Sequence, residues 1–182
     1  MKNRKWKVYS SKRVFDSPFV KVRVDRCKTT RGSLIDHYTL ELKSFVIVAG
    51  FTKHSELLMV REYRHSVKQH LLGLPAGVIN PRESPAKAAV REFEEETGYK
   101  ITRICKLAHW FVIPGKSAQA CTLFAGKVGK KTQQHMDETE HIEVKRIRAK
   151  RAYQLVKRGL IVSAPMTAAI LLLKDRYPKY FK

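Results

Sequence analysis

The sequence predicts an α/β chain: a mixed sheet with helices on its faces, preceded by a small antiparallel β unit. Three observations carry this. Period-2 alternation and short apolar runs fill the first 79 residues. One stretch, 84–97, has helical spacing with stop signals at both ends. Further strand-like runs then give way to two helical stretches near the C-terminus.

In order, residues 6–28 alternate, as in FVKVRVDRC, where Phe19, Val20, Val22 and Val24 sit among Lys21, Arg23 and Asp25. This reads as strand with one solvated face. TTRGS turns at Gly32, and LIDHYTLEL (34–42) returns, so residues 1–43 form an antiparallel meander. SFVIVAGFT (44–52) is a continuous apolar run, as in a buried strand. The loop KHS joins it to ELLMVREYR (56–64) in a hairpin. LLGLPAGVI (71–79) holds a proline and two glycines and predicts strand fragments with irregular backbone. Ser84-Pro85 opens a helix and Gly98 ends it. Strands follow around ITRICKLAHWFVI and ACTLFAGKV, then the polar loop KKTQQHMDETEH and the strand IEVKRIRA. AKRAYQLVKRG is a helix closed by Gly159. Ser163 caps the last helix, with Pro165 just inside. The expected division is 1–43 for the β unit and 44–182 for the main domain.

At 182 residues and 43% hydrophobic content the chain can bury a real core. No apolar run reaches membrane-spanning length. The basic start lacks an apolar segment of the secretory kind, so no secretory signal is expected. Cys27, Cys105 and Cys121 are widely spaced and odd in number, which fits reduced, mostly buried thiols in a cytoplasmic protein and excludes a paired-cysteine zinc site. The net charge of +21 favours acidic partners such as nucleotides. The basic residues are spread along the chain, so a dedicated nucleic-acid groove is the less favoured meaning.

VREFEEETGY (90–99) crowds four glutamates into five positions. On a helix at about 100° per residue, Ala86, Ala89, Val90, Phe93 and Thr97 share the core face. Glu92, Glu95 and Glu96 fall on a separate arc, and Glu94 points elsewhere. Neighbouring carboxylates repel, and converging ones call for a positive partner. Oxygen-only ligation selects a hard cation, Mg2+ or Mn2+. A solvated helix face with Arg–Glu pairs, Arg91 with Glu95 for instance, accounts for the helix equally well.

The flanking residues break this tie. Gly77, then Glu83, Arg91-Glu92, Glu95-Glu96, Gly98 and a large residue at 99 stand at fixed spacings. This resembles the signature of the Nudix hydrolase family, with Tyr99 where an aliphatic residue is commoner. The resemblance implies an α/β/α sandwich over roughly 44–175 and hydrolysis of a nucleoside diphosphate linked to another group. It implies that Glu92 and Glu96 are the main metal ligands and Glu95 a further or catalytic one, with the Ala76 carbonyl also on a metal. Gly77 and Gly98 are then backbone devices, and Glu83 and Arg91 a bracing salt bridge.

VREYRHSV before LPAG, Pro114-Gly115 fifteen residues past Tyr99, and the tail from DETEHIEVKRI resemble the ADP-ribose pyrophosphatase and nucleoside diphosphate sugar hydrolase branch. That resemblance points to Arg64, Arg31, Pro114 and Gly115 as substrate contacts and to Glu140 or Glu138 as the group that orients water. A surface arginine and a simple turn are the plainer readings of Arg64 and Pro114. Gly73 and Gln119 stand where the branch usually has glutamate, which keeps GDP- or UDP-sugars open as substrates. Trp6, Phe19, Tyr38 and Trp110 are candidates for stacking a base. The branch also implies a homodimer in which the N-terminal β domain contacts the partner and the base. The competing reading is a Nudix-fold RNA-binding module, or a hydrolase of RNA 5′ ends. It is disfavoured because all the metal glutamates are kept.

Overall fold

A computed structural model describes residues 5–135 and 141–182. The chain divides into two compact units, Met1–Ser44 with Phe111–Ala120, and Phe45–Trp110 with Cys121–Lys182.

The first unit is a three-stranded antiparallel meander, β1 (Lys7–Asp16), β2 (Lys21–Lys28) and β3 (Leu34–Glu41), with β2 central. The alternating stretch 6–28 is therefore two strands. Ser17-Pro18 supplies the turn between them: the Ser17 N–H and Oγ both donate to the Val20 carbonyl, at 3.0 and 2.8 Å. Every residue of β1 is exposed, so it lacks the single solvated face expected. Of the unit's three strands β2 alone carries buried side chains, Asp25 and Cys27. Segment 111–120 joins this unit through backbone: Leu40 N–H donates to the Lys116 carbonyl at 2.7 Å, and the Gln119 side-chain amide donates to the Lys43 carbonyl at 2.8 Å.

The second unit is built on a seven-stranded mixed sheet of β4 (Phe45–Phe51), β5 (Glu56–Arg64), β6 (Gln69–Gly73), β7 (Ala76–Val78), β8 (Tyr99–Phe111), β9 (Ala120–Lys131) and β10 (Ile142–Arg148). Its main order is β10-β5-β4-β9-β8, with β4 and β9 parallel. β4 and β5 pair near their hairpin, Phe51 opposite Leu57, and then part. The short strands β6 and β7 enter the gap, Gly73 opposite Val60 and Gly77 opposite Val46. Pro75 lies between them, where a proline without an N–H is tolerated, and its carbonyl accepts from Val48 at 2.8 Å. β9 extends to Lys131, two residues into the stretch expected as loop.

Helix α1 (Pro85–Thr97) covers one face of this sheet. Its Ala88, Ala89 and Phe93 pack with Val46, Val48, Leu58, Ile101 and Phe124 in a buried core. Helices α2 (Ala149–Lys157) and α3 (Ala164–Arg176), followed by a 3-10 turn Pro178–Phe181, complete the chain. Phe51, on the other face of β4, stacks on Tyr180 with ring centroids 4.2 Å apart. Ala86, expected in the core, is exposed, and Ala88 is buried instead. The whole first turn, Pro85–Lys87, is exposed. Ser163 occupies the N-cap of α3, yet its hydroxyl makes no capping bond. Of the three free thiols, Cys27 and Cys121 are buried and Cys105 is exposed, because β8 is an edge strand.

Candidate active site

Local chemistry fixes both ends of α1. Ser84 Oγ accepts from the Lys87 N–H at 3.3 Å, and Pro85 follows with its preset φ. Gly98 ends the helix in the left-handed region at φ 67°, its N–H donating to the Glu94 carbonyl at 2.8 Å. Glu92, Glu94, Glu95 and Glu96 thus occupy the C-terminal half. There the helix dipole disfavours negative charge, and the last turn holds no basic residue. Propensity does not explain this placement. Something positive has to offset it.

Part of the offset is Arg91, whose five N–H donors are all used. Its Nε and Nη2 grip the two oxygens of Glu83 at 2.9 Å each, and Nη2 also reaches the Val78 carbonyl at 3.0 Å. Nη1 donates to Glu92 at 2.8 Å and to Glu95 at 2.9 Å. The Asn80 N–H adds a bond to Glu83 at 3.0 Å. These bonds hold the Glu83 carboxyl down at about 2, the Arg91 fork being the largest cause, and they push the Arg91 guanidinium further up from its already high range. Glu83 and Arg91 therefore clasp the 79–84 loop to β7 and α1. Glu94 faces away from this network and pairs with Lys100 at 3.1 Å.

The glutamates are graded in depth. Glu96 is buried at 5% exposure, whereas the side chains of Glu92 and Glu95 are 13% and 40% exposed. Glu96 lies three residues from Phe93 and so turns toward the core. One of its carboxylate oxygens accepts from the Ala76 N–H at 3.2 Å, which ties α1 to β7. Ala76 is paired with Ile47 across β4. Gly77 is required by close approach: a Cβ there would overlap the Glu92 carboxylate. The strand backbone and the helix carboxylate thus form a narrow cradle.

Glu83, Glu92, Glu95 and Glu96 carry four potential negative charges against one guanidinium, so the site keeps an acidic surplus. Among the described residues no His, Cys, Asp or Glu group of three or more converges on a ready-made metal position. Arg91 draws Glu92 and Glu95 toward itself. The donor set still fits a hard divalent cation, because it is all oxygen, graded from buried to open, and set against the backbone at Gly77.

Two residues escaped the sequence reading. Gln134 Nε2 donates to the Glu96 carbonyl at 2.6 Å and to the Ile142 carbonyl at 3.4 Å, and the His135 N–H donates to the Glu95 carbonyl at 3.0 Å. They pin the segment after β9 to the turn that bears the carboxylates. Nothing in a polar loop sequence marks this role. Tyr99 likewise explains itself: its hydroxyl accepts from Arg146 at 2.6 Å, with the guanidinium 5.3 Å from the ring centroid.

The other expected residues are described by their own surroundings. Glu138 and Glu140 lie outside the described residues. Arg64 ends β5 and pairs with Glu62 at 2.8 Å. Arg31, Pro114 and Gly115 belong to the first unit. Pro114 is second in a turn closed by the Lys116 N–H on the Ile113 carbonyl at 2.9 Å, and Gly115 faces open space. Gly73 packs under α3, where a Cβ would lie 3.2 Å from Met166 Cγ. Trp6, Phe19 and Tyr38 are exposed and Trp110 is half-buried.

The NUDIX domain profile matches residues 42–170, and the profile for the nucleoside diphosphate sugar hydrolase N-terminal domain matches residues 6–40. An ADP-ribose pyrophosphatase of Bacillus subtilis (strain 168) is 24% identical over 176 residues, covering 96% of this chain and 95% of that protein. A methanol dehydrogenase activator of Bacillus methanolicus is 25% identical over 170 residues, covering 92% of each. A solved ADP compounds hydrolase shares the fold, with a TM-score of 0.87 at 19% identity over 97% of this chain and 96% of that one. With the Gly77–Glu92 cradle and the Arg91 clasp at the positions the signature requires, and a profile that spans most of the chain, this protein belongs to the Nudix family.

Proposed function

We propose that the protein hydrolyses the pyrophosphate of ADP-ribose or another nucleoside diphosphate sugar, with Mg2+ or Mn2+ as cofactor. Water adds to one phosphorus, the phosphoanhydride P–O bond breaks, and a nucleoside monophosphate and a sugar phosphate leave. The carrying observation is the acidic surplus on α1, which Arg91 offsets only in part. Glu92, Glu95 and Glu96 would hold the metal, together with the Ala76 carbonyl. Bound there, the cation would neutralise the pyrophosphate and lower the pKa of its water. The chain's own work is positioning. Glu83 and Arg91 fix the helix against β7, and burial keeps Glu96 from turning into solvent. Gln134 and His135 hold the segment after β9 against the Glu95–Glu96 turn, and Glu140 or Glu138 is assigned to orient the attacking water.

Arg64, Arg31, Pro114 and Gly115 are assigned to the substrate. Residues 1–43 are assigned to a dimer contact and to the base, and 44–182 to catalysis. Support for the dimer comes from the exposed apolar side chains of the first unit, Val14, Phe15, Phe19 and Tyr38 among them. The free thiols support a cytoplasmic setting. Among the described residues no helix is long and apolar enough to cross a membrane.

Product analysis tests the reading. Purified protein with Mg2+ or Mn2+ is offered ADP-ribose, GDP- and UDP-sugars, dinucleoside polyphosphates and capped RNA. Release of a nucleoside monophosphate and a sugar phosphate from the sugar nucleotides is expected. Absence of metal-dependent turnover across the panel overturns it.

A further inference from the structure

Helix α1 ends against its own electrostatics. Glu92, Glu94, Glu95 and Glu96 stand in its C-terminal half, where they repel one another and meet the negative end of the helix dipole. The last turn carries no basic side chain to oppose this. A helix also leaves its last carbonyls without partners of its own, and such ends fray. Unwinding there would part Glu92 from Glu96, which are neighbours only while the turn between them is wound.

The missing donors come from outside the helix. The Glu94 carbonyl accepts from Gly98, and segment 132–135 serves the carbonyls that follow. The Gln134 amide donates to Glu96 at 2.6 Å, the His135 N–H to Glu95 at 3.0 Å, and the Thr132 N–H to Gly98 at 2.7 Å. The approach is close: a Cβ on Gly98 would lie 3.1 Å from the Gln134 backbone nitrogen. His135 and Thr132 act through backbone N–H groups, which any residue but proline provides. Gln134 acts through its side chain. Its amide stands between two carbonyls, that of Glu96 and that of Ile142 at 3.4 Å, and so must turn its NH2 group to both. It thereby links the end of α1 to the start of β10.

We propose that Gln134 is a positioning residue for the metal-binding carboxylates, a role that rests on α1 being the metal site. It acts through the Glu96 carbonyl. By keeping the last turn wound, it holds Glu92, Glu95 and Glu96 at helical spacing before a cation arrives. Without the amide the turn is wound only part of the time, and the apparent metal affinity falls by that fraction. Excess cation rewinds it. The carboxylates themselves are unchanged by the loss, as is the Arg91–Glu83 clasp on the other side of the helix end.

The test is titration of the full chain with Mn2+ and no substrate, followed by loss of the free-ion signal in electron paramagnetic resonance. Gln134→Leu keeps the bulk and loses both donors. It is expected to weaken Mn2+ binding by about 10-fold, the scale of an outer-shell partner. Amide hydrogen exchange in residues 94–98 should quicken without Mn2+ and return to the parent's rate with Mn2+ in excess. With ADP-ribose, kcat should likewise recover at saturating Mn2+, with KM unchanged. Thr167→Val removes a side-chain bond of the same kind, to the Ile161 carbonyl at 3.0 Å in the α2–α3 connection, and should bind Mn2+ as the parent does. If Gln134→Leu does not fold, Gln134→Asn, one methylene short, is read in the same way. Equal Mn2+ affinity in parent and variant overturns the proposal. So does equal weakening in Thr167→Val, or a loss of kcat that excess Mn2+ does not restore. A parent that binds Mn2+ and hydrolyses no sugar nucleotide would sink the proposed activity alone, and the Mn2+ comparison would still decide this role. A parent that binds no Mn2+ overturns both.

Discussion

Glu96 shows how a single residue can carry two roles. Its carboxylate is buried, yet it accepts from the Ala76 N–H and so ties helix to strand. Glu96→Gln keeps the shape and an oxygen acceptor but removes the charge. Turnover is expected to fall by at least about 100-fold, beyond the loss typical of an outer-shell change, while circular dichroism stays that of the parent. An unchanged rate would remove this residue from the metal set. Gly77 makes the complementary case. In Gly77→Ala the new methyl group overlaps the Glu92 carboxylate, and the strain should cost about 1–3 kcal/mol in a urea unfolding curve. The variant should lose metal-dependent turnover as well, because the cradle can no longer close.

At the scale of the element, α1 is held by its clasp as much as by Phe93. Glu83 titrates at about 2 in the folded protein, pulled down by Arg91. A depressed carboxylate stabilises the fold at pH values above its unfolded pKa, near 4.3, and that contribution is lost as pH falls through the folded value. Thermal stability should therefore drop between roughly pH 4.5 and pH 2. Glu83→Gln should remove that part of the acid dependence and cost about 1–3 kcal/mol at neutral pH. An acid limb identical in parent and variant would show that other carboxylates govern it. α1 was also the element most legible in sequence, because Ser84, Pro85 and Gly98 act within one turn of themselves. Its buried face was less so. Angular spacing placed Ala86 in the core and Glu96 on a separate arc, but the sheet decides which arc is covered, and it covers Ala88 and Glu96.

For the whole molecule, two expectations follow from assembly and charge. Light scattering should give twice the chain's 21.0 kDa if the exposed side chains of the first sheet pair in solution. Replacing Phe15 and Phe19 with serine should shift the mass toward one chain. A parent that is monomeric at micromolar concentration would exclude the dimer. Chelation by EDTA should abolish turnover, and Mg2+ should restore it. Metal should also raise the melting temperature of the parent but not of Glu96→Gln, since a cation that binds only the folded state stabilises it by mass action.

The sequence by itself determined the class of fold, the ends of α1 and the acidic constellation, because each depends on periodicity, turn chemistry or spacing within a few residues. Only the tertiary structure decided the rest. Gln119 and segment 111–120 fold back onto residues 40–43, and Gln134 anchors the approach to the glutamates. Arg91 places every donor on the site. These follow from backbone groups and charges that meet across long stretches of chain, where local pattern carries no signal.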